Sequence, residues 1–339
     1  MILSSIIFLK YTYMNYIKLI RPLNLLIIVF TMYLFRYCLV DASPYHLFYI
    51  EHVLTNMQFF LLVLATLFIA AGGYVINDIF DVDIDQVNHP DKTIIGNGIS
   101  EDTAYSFYKI LCGAGIICTL VLAFMTKNYR LSLFPVIVMV MLNFYAHTFK
   151  KQLIVGNFVI ALCSGFTILL IALFESGGNE EVTANESYVR SGIAIAAIVY
   201  GSFAFLTTFL REIIKDVEDM NGDEQYACRT IPIVFGVKGA KAVSIVIAVL
   251  LLLLLVSFMW FFPSLKIKNV SYFIGFGLIL PLLGIIFFIF RANSISHFHF
   301  VSNLIKVFMC LGIASMLYFR TGIGPYIFVQ YANFLHKLF

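Results

Sequence analysis

The sequence predicts an all-α membrane protein: one polytopic bundle of nine transmembrane helices around a central cavity, occupying residues 1–339 as a single domain. Three observations carry this. The 339-residue chain is 61% hydrophobic. It is only 12% charged, about half the share of an ordinary soluble domain. Its apolar residues fall in runs close to the roughly 20 needed to cross a hydrocarbon core of about 30 Å, and they do not alternate as barrel strands do. A net charge of +3 makes no field suited to nucleic acid, so no nucleic-acid partner is expected.

Nine spans follow from the runs: 23–40, 57–76, 104–126, 131–147, 153–174, 191–210, 242–262, 270–290 and 300–319. The aromatic tail 325–339 reads as interfacial, and Lys306, near the start of the ninth span, as snorkelling to the surface. An odd number of spans puts the two ends on opposite sides. The N-terminal side then holds twelve Lys and Arg against seven on the other, which makes it cytoplasmic. The six cysteines include no CxxC pair and read as small buried hydrophobes.

The second span runs into GGYVINDIFDVDIDQVNHPDK, where five Asp lie within fourteen residues. Asn77, Asp81 and Asp85 are spaced four apart, so on a helix they share one face, while Asp78 and Asp83 point elsewhere. Oxygen-bearing side chains crowded at the mouth of a membrane helix repel one another unless a cation lies between them, and an acid cluster continuing a span is costly unless functional. Hard oxygen ligands suit Mg²⁺, which takes one or two carboxylates and fills its shell with water and phosphate.

The sixth span runs into TTFLREIIKDVEDMNGDEQYACRTIPIVFG. Glu212, Asp216, Asp219 and Asp223 again form one helical stripe, with Asn221-Gly222 ending or loosening the helix before Asp223. The parity of the spans puts both acidic segments on the cytoplasmic side. Each can hold a Mg²⁺, with Asn77, Asp81 and Asp85 on one and Asp216, Asp219 and Asp223 on the other. Two such ions make a clamp for a diphosphate, which carboxylates alone would repel. Asn77, Arg21, Lys92, Tyr145, Lys150, Arg211 and Lys215 lie on the same side as candidates to hold diphosphate oxygens, and Lys150 is also a candidate to stabilise a leaving group.

These residues resemble a known family. NDIFDVDID matches the NxxxDxxxD motif of the UbiA superfamily of intramembrane prenyltransferases, and DMNGD, Asp219 to Asp223, matches its second motif. Arg21-Pro22, Asn88-His89-Pro90, Gly98 and Ser100, Tyr145 and Lys150, Gly156-Asn157 and the RTIP of 229–232 agree as well, so the resemblance covers roughly 16–320. REIIKDVEDMNGD is similar to the branch of geranylgeranylglyceryl phosphate geranylgeranyltransferases and chlorophyll-synthase-like enzymes. Where the family often has Arg-Pro, Asp91-Lys92-Thr93 stands, keeping the charge but not the bidentate fork.

The resemblance implies Mg²⁺-dependent transfer of a prenyl group from an allylic isoprenoid diphosphate to a lipophilic acceptor, either a geranylgeranylglyceryl phosphate or an aromatic or quinone precursor. Asp81, Asp85, Asp219, Asp223 and Lys150 would carry the chemistry, in contact with membrane lipids. The alternative is a cation-coupled transporter, which should place its acids nearer the midplane in repeated broken helices. A CDP-alcohol phosphotransferase would need a DGxxAR signature, which is absent.

Overall fold

No water is available in a bilayer core, so a crossing backbone must satisfy its own hydrogen bonds, and a helix does this within one segment. The computed structural model follows that rule. It describes residues 13–41, 54–88, 90–176, 184–264 and 268–320, and among these there is no strand, only an isolated bridge between Ile95 and Ile99. The tail 325–339 lies outside the described residues.

The helices are α1 (Pro22–Phe35), α2 (Asn56–Phe80), α3 (Val82–Asn88), α4 (Glu101–Thr126), α5 (Leu133–His147), α6 (Val155–Ser176), α7 (Ala184–Glu218), α8 (Met220–Gln225), α9 (Ile231–Ser264), α10 (Lys268–Tyr272), α11 (Leu280–Arg291), α12 (Ile295–Ala314) and α13 (Leu317–Arg320). π-Helical turns at Arg36–Val40 and Phe273–Ile279 extend α1 and join α10 to α11. Among the described residues eight segments are long and apolar enough to cross a membrane. The expected fourth span is the exception: α5 has 15 residues, short of a crossing length. The expected 242–262 span grows at its start, because helix begins at Ile231 and kinks at Gly236, where φ is +69°. Phe124, Phe276 and Phe290 are 77%, 73% and 70% exposed, an apolar outside that suits lipid.

The chain forms two compact units. The first comprises Met1–Val29, Asn56–Val159 and Asp219–Thr230; the second comprises Phe30–Thr55, Ile160–Glu218 and Ile231–Phe339. In the first, α2 is the central helix and packs along α4 and α5. Gly72 and Gly73 make this possible. A Cβ on Gly72 would come 3.1 Å from Cys112 Sγ of α4, and one on Gly73 would come 2.8 Å from Leu142 of α5. Helices without a hydrophobic drive to associate rely on such close approach. Below the glycines, Val75, Ile76 and Ile79 pack with Leu19, Ile95 and Ile99 at the end of α2 that carries the acids.

In the second unit α7 packs against α9 and α12. Tyr200 meets Ser315 at 2.9 Å, and its ring stands edge-on between those of Phe35 and Phe319. The π-turn Arg36–Val40 packs against α13, with the Arg320 guanidinium 3.6 Å over the Tyr37 ring. Arg36, 5% exposed, fans its guanidinium to Glu175, to Asp41 Oδ1 at 2.8 Å and to the Leu54 carbonyl at 2.8 Å.

Candidate active site

The first acidic segment keeps the expected spacing through a change of helix. α2 ends at Phe80 and α3 begins at Val82, yet Asp81 N bonds to Asn77 O at 3.0 Å and Asp85 N to Asp81 O at 2.7 Å. The i, i+4 ladder therefore survives the junction and keeps the three side chains in line. Asn77 and Asp81 are buried, Asp85 is half-buried and Asp83 is exposed. Asp78, off that face, accepts from Arg21 at 2.5 Å, and the Arg21 guanidinium also lies 5.1 Å over the Tyr74 ring.

Asp81 is the centre of the site. Asn77 Nδ2 donates to its Oδ2 at 2.6 Å, and the Lys150 ammonium pairs with the same oxygen. Lys150 is presented by the one-turn helix Phe149–Lys151, which follows α5. Burial alone would lower the affinity of Lys150 for its proton. The negative charge of Asp81 outweighs this, joined by Tyr145 and Asp223, and holds the ammonium above the ordinary lysine value of 10.5.

The second acidic segment departs from the expected continuous stripe. α7 stops at Glu218, three residues before the Asn221-Gly222 break that the sequence predicts. Asp219 takes φ −92° and ψ 2°, and the chain restarts in α8, with Asn221-Gly222 inside it. Glu212 and Asp216, with Arg211 and Lys215, thus belong to the second unit; Asp219 and Asp223 belong to the first. Arg211 pairs with its neighbour Glu212 at 2.8 Å. Asn and Gly tolerate a helical turn when neighbours hold it, and here a side chain from the first segment does so.

That side chain is Asn88. Its Nδ2 donates to the Asp219 carbonyl at 2.9 Å, and its Oδ1 accepts from Gly222 N at 2.8 Å. A Cβ on Gly222 would lie 2.5 Å from Asn88 Nδ2, so only glycine fits against the amide. Cys228 N closes onto Asp223 O at 2.9 Å, and Arg229 N bonds to Lys151 O at 3.0 Å, tying this segment to the Lys150 turn. Burial, then the charge of Asp223, pushes the Cys228 thiol up to about 11. Asn77 and Lys150 thus meet on Asp81, with Tyr145 and Asp223 within electrostatic reach of Lys150, while Asn88 pins the Asp219–Gly222 turn that carries Asp223. The sequence marks Asn88 only as part of an Asn-x-Pro segment. Lys92 ends the 3₁₀ turn Pro90–Lys92, and its side chain lies outside the described ones.

The donors suit a hard cation. Asn77 Oδ1 is buried and has no hydrogen-bond partner among the described residues, beside a carboxylate already in place. No three His, Cys, Asp or Glu among the described residues form a ready cage. Mg²⁺ does not need one, because it completes its shell with substrate phosphate and water. The residues present therefore fit an ion that arrives with a phosphate group.

A model of the UbiA prenyltransferase family matches residues 42–304. The chain belongs to the UbiA prenyltransferase family. It is an enzyme, a prenyltransferase, and an integral multi-pass membrane protein. It is 29% identical to the digeranylgeranylglyceryl phosphate synthase of Sulfolobus acidocaldarius over 78% of this chain and 85% of that one. It is 26% identical to the synthase of that name from Methanosphaera stadtmanae over 88% and 97%. Its fold is shared with a UbiA homolog from Archaeoglobus fulgidus solved with GPP and Mg²⁺ (TM-score 0.53, 17% identity, 89% of this chain and 99% of that one).

Proposed function

We propose that the protein transfers a geranylgeranyl-type group from its allylic diphosphate to the free hydroxyl of a prenylglyceryl phosphate, releasing diphosphate. The observation that carries this reading is the convergence of two acidic segments, pinned by Asn88, on an Asp81–Lys150 pair with a spare buried oxygen beside it. The acceptor follows the activity named for the relatives.

Two Mg²⁺ ions, when bound, would neutralise the diphosphate and make it a better leaving group. Asn77, Asp81 and Asp85 would hold one, and Asp219 and Asp223 the other. Lys150 stays an ammonium and donates to a diphosphate oxygen as the allylic C–O bond breaks. Tyr145, Arg21 and Lys92 orient the same group. The acceptor oxygen bonds to the allylic carbon, and its proton leaves with the diphosphate. The apolar helices exclude water, which would otherwise capture the allylic cation. The bias of Lys and Arg puts this end of the bundle in the cytoplasm; reagent labelling of a cysteine placed at Asn97 from that side only would agree with this.

The test is an assay of the purified protein with labelled geranylgeranyl diphosphate, Mg²⁺ and a panel of acceptors. Geranylgeranylglyceryl phosphate should be labelled and 4-hydroxybenzoate should not; the reverse result would sink the acceptor assignment. A sigmoidal dependence on Mg²⁺ would agree with two ions, and strict one-site saturation would not.

A further inference from the structure

Thr230 is a buried polar group that this reaction scheme leaves unused. It is 5% exposed, and its Oγ1 has no hydrogen-bond partner among the described residues. It stands just before α9, where a threonine usually accepts from the second or third N–H of the helix. Pro232 is second and has no N–H, and no bond from Ile233 to the hydroxyl forms among the described residues. A hydroxyl buried without a partner destabilises the free protein, and a ligand able to bond it relieves this.

The backbone around Thr230 shows which way it faces. Residues 228–230 carry neither helix nor turn, and Arg229 N bonds to Lys151 O at 3.0 Å. Burial alternates along them: Cys228 is buried, Arg229 exposed and Thr230 buried. On an extended chain alternate side chains share a side, so Thr230 faces with Cys228 and away from Arg229. Cys228 lies among the charges of the site, within electrostatic reach of Asp223, Lys150, Lys151 and Asp81. Its N–H closes onto Asp223 O at 2.9 Å. Thr230, about 7 Å farther along, presents its idle hydroxyl on that same flank. All of these residues belong to the first unit.

We propose that the Thr230 hydroxyl donates to an oxygen of the allylic diphosphate, beside Asp223 and Lys150. This rests on the diphosphate reading above and names a further group that binds it. A hydroxyl suits the place, because it gives a hydrogen bond to a phosphate oxygen without adding charge next to carboxylates that would hold cations. The prenyl chain has no atom to take that bond. The RTIP segment at 229–232 thereby turns one side chain into the site and the next one out of it.

The experiment uses the full-length protein in phosphatidylcholine nanodiscs and measures binding of labelled geranylgeranyl diphosphate and of inorganic pyrophosphate, each with Mg²⁺. Thr230→Val keeps the branched shape and removes the hydroxyl. It should weaken both by about tenfold or more, and Thr230→Ser should retain most of the affinity. Geranylgeranylglyceryl phosphate should bind wild type and the Val variant alike. Without ligand the Val variant should melt at or above the wild-type temperature, because its hydroxyl has no partner to lose. A Val variant that melts well below wild type, or fails to fold, shows the hydroxyl bonded within the protein and overturns the proposal. Equal affinity of wild type and the Val variant for either diphosphate overturns it too, as does a loss confined to the phosphorylated acceptor. Hydroxyl-dependent pyrophosphate binding by a protein that transfers no prenyl group would remove the proposed reaction and leave this contact standing. Transfer with pyrophosphate affinity that ignores Thr230 would do the opposite.

Discussion

Arg36 in the second unit and Asp81 in the first each anchor a buried ion pair, and they differ in what remains over. The Arg36 guanidinium spends its fork on Glu175, Asp41 and the Leu54 carbonyl. Asp81 collects Lys150 and Asn77 on one oxygen, and Asn77 Oδ1 stays without a partner among the described residues. A buried charge whose neighbours answer every direction has nothing to give a ligand and serves the fold. A charge held by one cation, beside an idle oxygen and a second acidic segment, can exchange partners when a ligand enters. Burial of charge alone therefore does not identify a site; the unfilled coordination around it does.

That contrast breaks most sharply at the two centres. Asp81→Asn should lower prenyl transfer by about 10³-fold in the molecules that fold, close to 4 kcal/mol of activation free energy, and some stability is lost as well because Lys150 is left without its anion. Wild-type turnover in this variant would remove Asp81 from the chemistry. Arg36→Met should cost stability alone and leave the chemistry intact. Leaving Glu175 and Asp41 without their cation costs about 3–5 kcal/mol of stability, read as a large fall in melting temperature, while the molecules that fold keep their KM for the allylic diphosphate. A normal melting temperature with a raised KM would make Arg36 a ligand group.

Asn88→Ala tests the pin between the acidic segments. Losing the bonds to Asp219 O and Gly222 N should cost about 1–3 kcal/mol and loosen Asp219 and Asp223, lowering turnover more than donor affinity. Gly222→Ala should reproduce the effect by displacing the same amide, and a double variant no worse than either single one would show that they act as one unit.

The smallest effects lie in titration. The Lys150 proton is held more tightly in the folded protein than at the ordinary 10.5, so its pairing is fully present below that pH and is lost only as pH rises beyond it. No inflection in activity or melting between neutral pH and 10.5 should trace to Lys150, which comparison with Lys150→Met checks. The Cys228 thiol, pushed to about 11, should react with a maleimide about 10²-fold more slowly at neutral pH than a free cysteine. Asp223→Asn should speed that reaction, because Asp223 is one of the charges that raise it; no change would separate the two side chains.

Much of the fold is legible in the sequence because crossing a bilayer demands length and apolarity, and both are local. Among the described residues eight helices are long and apolar enough to cross a membrane, and their ends lie as much as eleven residues from the bounds of the apolar runs, as at Ile231, Glu218 and Ile295. The fourth is only 15 residues of helix, since Asn128–Arg130 and Thr148 close it at both ends. The acids of the site are legible for the same reason: Asn77, Asp81 and Asp85 repeat at the helical period, and that period survives the junction at Asp81. The second stripe is not, because its break depends on Asn88, 131 residues away, holding Asp219 and Gly222. Arg36 and Glu175 also escape notice, one inside a span and one at the end of another, since nothing local says that they meet.

The sequence by itself determined that this is a helical membrane protein carrying two acidic segments with the composition for Mg²⁺ and diphosphate. Hydropathy and spacing are properties of neighbours along the chain, and they need no third dimension. Only the tertiary structure decided which charges are spent on each other and which remain for a ligand. Pairing of Lys150 with Asp81, of Arg21 with Asp78 and of Arg36 with Glu175 joins residues 69, 57 and 139 positions apart. Coulomb attraction depends on separation in space and on burial, and neither can be read from separation along the chain.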